Sequence, residues 1–161
     1  MLAQSFQNLQ TFLPTIILRH RRENLKKCSL RGLESRSDLQ FFSYPKAQLP
    51  DLSNYVLLDF EGPVLSENDA PLGLFIIDST WRYSEVMRRF VDAHCKLPTR
   101  SLPSHFRTAY PRRQEDCADP ERGLASVEAL WLSYVLSGRN PDGLLQNYHW
   151  AEEFLKKNSY K

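Results

Sequence analysis

The sequence has no apolar run approaching the roughly 20 residues that a bilayer-spanning helix needs. Its opening residues, Met1-Leu2-Ala3-Gln4-Ser5-Phe6, place no basic patch ahead of a long apolar core. Neither a membrane span nor a cleaved secretory signal is expected. Cysteine is scarce: Cys28, Cys95 and Cys117 are an odd count without a C-x-x-C pair. That usage argues against a disulfide framework and against the usual structural zinc spacings, and fits reduced thiols in the cytoplasm. The patterns G-x-x-x-x-G-K-[ST], G-x-G-x-x-G, H-E-x-x-H and G-x-S-x-G are all missing, which removes the commonest nucleotide, zinc and serine-hydrolase signatures. His20, His94, His105 and His149 are scattered and read as surface or packing residues, so no metal is expected. No internal repeat or low-complexity stretch is visible.

A chain of 161 residues with 42% apolar and 25% charged residues is ordinary for one globular domain, and a globule of this length buries roughly 70% of its unfolded surface. We therefore expect a single domain over 1–161, with a basic N-terminal part, 1–54, and a core, 55–161. The formal net charge is only +2, but it is unevenly spread. Arg19, Arg21, Arg22, Lys26, Lys27, Arg31 and Arg36 stand against Glu23 and Glu34, a local excess of five positive charges. Such a segment either attracts a phosphate backbone or serves as a solvated face.

Thr15-Ile16-Ile17-Leu18 is the first strand candidate. Leu25, Cys28, Leu30 and Leu33 then approximate helical spacing. Leu39–Tyr44, ended by Pro45, and Tyr55–Asp59, closed by Glu61-Gly62-Pro63, read as further strands joined by a loop from Pro45 to Asn54. Gly73–Ile77 is apolar throughout, so it should be buried on both faces. Asp78-Ser79-Thr80 follow as good N-caps, and the helix they open carries Tyr83, Val86, Met87, Phe90 and Val91 on one stripe. A buried strand running into a helix is half of a β-α-β unit, so the fold class is α/β with a mostly parallel sheet. The long segment from Leu97 to Gly123 should include a short strand near Leu102 and Phe106. A helix bearing Val127, Leu130, Trp131, Tyr134 and Val135 stops at Gly138, and Asn140-Pro141 start a last helix that carries Leu144, Leu145, Tyr148, Ala151, Phe154 and Leu155.

Ligands of open α/β sheets bind outside the carboxyl ends of the strands. Ile77-Asp78-Ser79-Thr80-Trp81 lies at such an end. Asp78 there either acts on a substrate proton or only caps the helix, and Trp81 either walls a pocket or only begins a core stripe.

Several motifs add to this reading: Asp78-Ser79-Thr80-Trp81, the Leu102-Pro103 pair, Leu124-Ala125-Ser126-Val127-Glu128-Ala129-Leu130, the Tyr148–Asn158 ending and Lys26-Lys27-Cys28-Ser29. In that order across roughly residues 24–158, the sequence resembles the ribosome-biogenesis aminocarboxypropyltransferases that modify small-subunit rRNA. The DTW-domain tRNA-uridine aminocarboxypropyltransferases are the nearest related group. The resemblance implies a SPOUT-like sheet with helices on both faces and a C-terminal trefoil knot that holds S-adenosylmethionine (SAM) in the 55–161 core. It implies transfer of a 3-amino-3-carboxypropyl group to N3 of a uridine or modified pseudouridine, with release of methylthioadenosine. By the same resemblance, Asp78 is the catalytic candidate and itself contacts the cofactor. Trp81 and Ser84 match positions around the sulfonium, and Ser29, the Leu102 backbone, Arg122 and Ser126 match adenosine contacts.

Arg19, Arg21, Arg22, Lys26, Lys27, Arg107, Arg112 and Arg113 are the candidate RNA contacts. rRNA is favoured over tRNA as partner, and a monomer over a homodimer. The chain departs from the family pattern at Ala109-Tyr110-Pro111-Arg112-Arg113, in the insertion Gln114–Gly123, and at Asn24-Leu25 where the family has Asp-Pro. A SPOUT methyltransferase and a non-catalytic pre-rRNA-binding assembly factor are the other readings.

Overall fold

The computed structural model describes residues 11–22, 28–111 and 123–160. Among them, five strands form one sheet: β1 (Thr15–His20), β2 (Leu39–Tyr44), β3 (Tyr55–Leu58), β4 (Gly73–Asp78) and β5 (Thr99–Arg100). Their order is β2-β1-β4-β3-β5 and every pairing is parallel. β1 and β4 lie at the centre, which is why Thr15-Ile16-Ile17-Leu18 and Gly73-Leu74-Phe75-Ile76-Ile77 read as unbroken apolar runs. The basic N-terminal part supplies β1 and β2, and the rest of the chain supplies the other three strands.

Alternation along the strands divides the core between two faces. Ile16, Leu18, Tyr55, Leu57 and Phe75 point to one face and are covered by Met87 and Val91 of α1 (Trp81–His94). Ile17, Leu39, Val56, Leu74 and Ile76 point to the other, covered by Val127, Leu130, Leu132 and Tyr134 of α2 (Ser126–Ser137) and by Phe154 of α3 (Ala151–Lys157). Helices therefore flank both faces of a parallel sheet. Val86, placed by spacing on the apolar stripe of α1, is 42% exposed; the helix buries its i, i+4 pair Met87 and Val91, and Val86 falls off that line. The α2 helix ends at Gly138 with φ 79°, the left-handed C-cap that the sequence indicates.

Three expectations are corrected. The helical spacing of Leu25, Cys28, Leu30 and Leu33 does not give a helix in the described part of that segment. Residues 28–38 are successive turns, with Arg31 N–H donating to the Cys28 carbonyl, Leu33 to Leu30 and Arg36 to Leu33. Leu30 and Leu33 are apolar because those turns drop them into the core under α2. The last helix begins at Ala151, not at Pro141. Gly143 adopts φ +83°, which breaks helical continuation, and Arg36 Nη1 holds the neighbouring Asp142 carbonyl at 2.8 Å. The short strand of the 97–123 segment is Thr99–Arg100, beside Leu57 and Leu58. Leu102 and Phe106 pack against the core as irregular chain, where Pro103 has no N–H for a ladder.

No helix among the described residues is long and apolar enough to cross a membrane.

Candidate functional site

The carboxyl ends of β1 and β4 bring Arg19 and Asp78 level on adjacent strands. Both occupy positions that alternate towards the α2 side of the sheet, in line with Ile17 and Ile76. Arg19 Nε donates to Asp78 Oδ2 at 3.3 Å, and its Nη1 reaches Glu34 Oε1 at 3.3 Å. The guanidinium also lies 4.6 Å from the centre of the Phe41 ring. Burial pulls the Arg19 pKa down, but Cys28, Asp78 and Glu34 outweigh it and hold the group above its ordinary value.

Two further donors converge on Asp78. Cys28 Sγ reaches Oδ2 at 3.4 Å, and Ser126 Oγ reaches Oδ1 at 2.7 Å. Burial first, and then the neighbouring Asp78 charge, push the Cys28 thiol up to about 12. Ser126 is the first residue of α2, so its bond brings the positive end of that helix to the carboxylate. Ser29 completes the junction: its Oγ accepts the Val127 N–H at 3.1 Å, capping α2 from 98 residues away. Asp78 is left only 5% exposed. It is the last residue of β4, while Thr80 takes the N-cap position of α1 without a side-chain bond. Asp78 therefore does not cap α1.

Behind this junction lies Glu128, which is fully buried at 0% exposure. Its carboxylate accepts from Thr108 Oγ1 at 2.6 Å, Ala125 N at 2.7 Å, Ala109 N at 2.9 Å and Tyr148 Oη at 3.1 Å. Asn158 brackets Arg107, accepting its N–H and donating to its carbonyl, both at 2.8 Å. The irregular segment 102–109 is thus fastened to the start of α2 and the end of α3.

On the α1 side of the same sheet edge, His20 stacks on Tyr83 with ring centres 4.1 Å apart. Its Nδ1 accepts the Arg22 N–H at 3.0 Å. Burial, helped by the charges of Arg22 and Arg21, lowers the His20 pKa and keeps the ring neutral.

Of the residues singled out from sequence, Ser29, Asp78 and Ser126 meet in one hydrogen-bonded junction. Leu102 is half-buried against the core on the α2 side, and Ser84 is exposed on α1. Trp81 opens α1. Arg122, Lys26, Lys27, Arg112 and Arg113 lie outside the described residues. Arg21 and Arg22 are exposed, whereas the Arg107 guanidinium bonds the carbonyls of Ser104 and Phe106 at 2.7 and 3.2 Å. Arg19 is corrected: with its side chain 10% exposed and paired to two carboxylates, it is not a surface contact for phosphate. A cation at an inward position of an apolar strand requires a buried counter-charge, and that requirement was the available signal. Cys28 and Glu34 enter the site through the same arginine. Among the described residues no group of three or more His, Cys, Asp or Glu side chains is arranged to hold a metal ion.

No protein-family model and no curated protein matches the chain. A solved structure does: the SAM-dependent rRNA:acp-transferase Tsr3 from Vulcanisaeta distributa, with a TM-score of 0.63 at 19% identity, over 92% of this chain and 80% of that one. The two share a fold.

Proposed function

We propose that this chain is a cytoplasmic RNA aminocarboxypropyltransferase that uses SAM to modify N3 of a uridine or modified pseudouridine, with small-subunit rRNA as the favoured target. One observation carries the reading. Ser29, Asp78 and Ser126 come from three separate motifs of the family resemblance, and they converge through the 2.7 Å Ser126–Asp78 bond and the 3.1 Å Val127–Ser29 bond. The convergence is at the carboxyl end of a parallel sheet, where α/β folds place their ligands. The likeness to a SAM-dependent rRNA enzyme supports rRNA as the target; a knotted SPOUT-like topology and a monomeric state are part of the same proposal and rest on the sequence resemblance alone.

The residues present suit a polar, cationic cosubstrate. Next to Asp78, the Ser79 hydroxyl is buried without a hydrogen-bond partner among the described residues, a group that a polar ligand would satisfy. When bound, SAM supplies a sulfonium-activated aminocarboxypropyl chain. Ser29, Ser126, Arg122 and the Leu102 backbone would hold its adenosine, with Trp81 and Ser84 at the sulfonium end. Asp78, fixed by Arg19 and Ser126, would orient the acceptor or take the N3 proton. Arg21, Arg22, Lys26, Lys27, Arg107, Arg112 and Arg113 would meet the phosphates.

The test is the product. Purified protein with SAM and RNA should release methylthioadenosine, and Asp78→Asn should lose most turnover; S-adenosylhomocysteine instead would make the chain a methyltransferase. A second reading, a non-catalytic pre-rRNA-binding assembly factor, draws on the Asp78 carboxylate, which already accepts three hydrogen bonds at 5% exposure. Absence of both heat and thermal shift at saturating SAM would select that reading.

A further inference from the structure

Leu58-Asp59-Phe60-Glu61-Gly62-Pro63-Val64 sets an aromatic residue in the turn that leaves β3. No other described phenylalanine is exposed, yet Phe60 is 82% exposed and Val64, in the same turn, 53%. β3 and β4 are parallel, with Leu57 opposite Phe75, so the turn after β3 leaves the same carboxyl end of the sheet at which Asp78 closes β4. The pleat sends Asp59 towards α1, where Arg88 Nη1 meets its carboxylate at 2.5 Å.

The turn is held firmly while it displays the ring. Phe60 N–H donates to Asp59 Oδ1 at 2.7 Å, Ser101 Oγ to the Gly62 carbonyl at 2.8 Å, Ser101 N–H to the Pro63 carbonyl at 2.8 Å, and Leu65 N–H to the Ser101 carbonyl at 2.9 Å. Gly62 has φ +112°, and a Cβ there would lie 2.5 Å from Thr99 Oγ1 and 2.8 Å from its carbonyl oxygen, so only glycine lets the turn pack this closely. A fixed aromatic face in water is preorganised for a flat partner.

We propose that Phe60 is the platform on which an unpaired base of the RNA strand stacks at the carboxyl end of the sheet. The inference rests on RNA being the substrate and adds a contact which that reading does not require. Single-stranded RNA is gripped by aromatic faces together with basic groups that follow the backbone. Here the exposed Arg21 and Arg22 continue β1 past Arg19, at the same edge of the sheet. Glu61, next to the ring, is acidic and exposed, so stacking rather than charge supplies the affinity at this turn.

The experiment measures binding of a short fluorescein-labelled, uridine-rich single strand by anisotropy across salt concentrations, alongside thermal unfolding and SAM calorimetry. Phe60→Ala should weaken the strand roughly 5- to 100-fold, the range expected for one lost base–aromatic stack. Its salt slope should not change, because no charge is removed. Phe60→Tyr should stay within roughly twofold of the parent, since the stacking face is kept. Equal affinity for Phe60→Ala and the parent overturns the proposal. So does a Phe60→Ala protein with lowered Tm or weakened SAM binding, which would make the ring part of the scaffold. A parent that ignores the strand but self-associates through Phe60 in sedimentation overturns it as well, assigning the turn to a protein contact. Strand binding that depends on Phe60 without any methylthioadenosine leaves the platform standing and removes the transferase reading. Methylthioadenosine release with an unaltered KM for RNA in Phe60→Ala does the reverse.

Discussion

Arg19 and Asp78 face one another at the ends of neighbouring parallel strands, Nε 3.3 Å from Oδ2, with side chains 10% and 6% exposed. The pair turns two residues 59 apart in sequence into one buried unit, on which the Ser126 and Cys28 contacts depend. Removing one member of such a pair strands the other charge, at about 3–5 kcal/mol. Arg19→Met is therefore expected to lower Tm by about 6–20 °C for a chain of this size. Arg19→Met combined with Asp78→Asn should recover part of that loss, because no net charge stays buried. Differential scanning calorimetry of the three variants checks it; additive losses would mean that the two residues are not coupled.

Surface arginines at the same strand end should behave differently. Arg21→Ala with Arg22→Ala is expected to leave stability within roughly 0.5 kcal/mol of the parent. Each lost phosphate contact reduces the salt slope for single-stranded RNA by roughly 0.7. Binding isotherms at several salt concentrations measure this, and an unaltered slope would take both arginines off the RNA surface.

Ser126 and Ser29 fix the start of α2 by separate bonds. Ser126→Ala removes a 2.7 Å bond to a carboxylate, a contact of about 1.5–3 kcal/mol. Ser29→Ala removes a cap of about 1 kcal/mol. Both should weaken SAM binding in titration calorimetry while leaving a cooperative unfolding transition. Unchanged SAM affinity in both variants would separate this junction from the cofactor.

Glu128 is a larger risk to the fold. Glu128→Ala takes the acceptor from donors at Thr108, Ala109, Ala125 and Tyr148. At about 1–3 kcal/mol for each of the three buried donors, those of Thr108, Ala125 and Tyr148, the variant should lose at least about 3 kcal/mol, a fall in Tm of roughly 6–12 °C. Thr108→Val removes only one of the four and should fall well short of that loss.

Alkaline pH offers a test of burial. The thiol of Cys28 titrates at about 12 in the folded chain against 9.0 when unperturbed, and the Tyr134 phenol at about 12 against 10.0. The folded state keeps both protons where the unfolded state releases them, so stability is full below pH 9 and falls as pH rises from about 9 to 12. Cys28→Ala should flatten that fall in denaturant titrations across the window. Iodoacetamide at pH 8 should leave Cys28 unmodified in the native protein, as read by peptide mass spectrometry, because alkylation needs the thiolate.

The central strands, the α1 and α2 helices and the Gly138 cap were legible because they rest on local signals: apolar runs, 3.6-residue spacing and a residue free to adopt positive φ. The same signals failed where apolar residues were recruited by turns. Leu30 and Leu33 mimic a helix face, and Leu144 and Leu145 mimic the start of one, because burial in a turn requires a hydrophobic residue as surely as burial on a helix does. Asp78, Ser29 and Ser126 were singled out by motif, but nothing local states that Ser29 caps a helix 98 residues away.

What the sequence alone determined is the alternation of buried strands and helices that requires a parallel sheet covered on both faces, together with the residue types available at the end of its central strand. Tertiary structure decided which charges are neutralised. Arg19 reads like Arg21 and Arg22 along the chain, yet β1 pairs with β4 so that Arg19 meets Asp78 in the interior while its neighbours stay in water. A side chain's electrostatic role is set by the dielectric around it and by partners within a few ångströms, and both come from segments brought together only by folding.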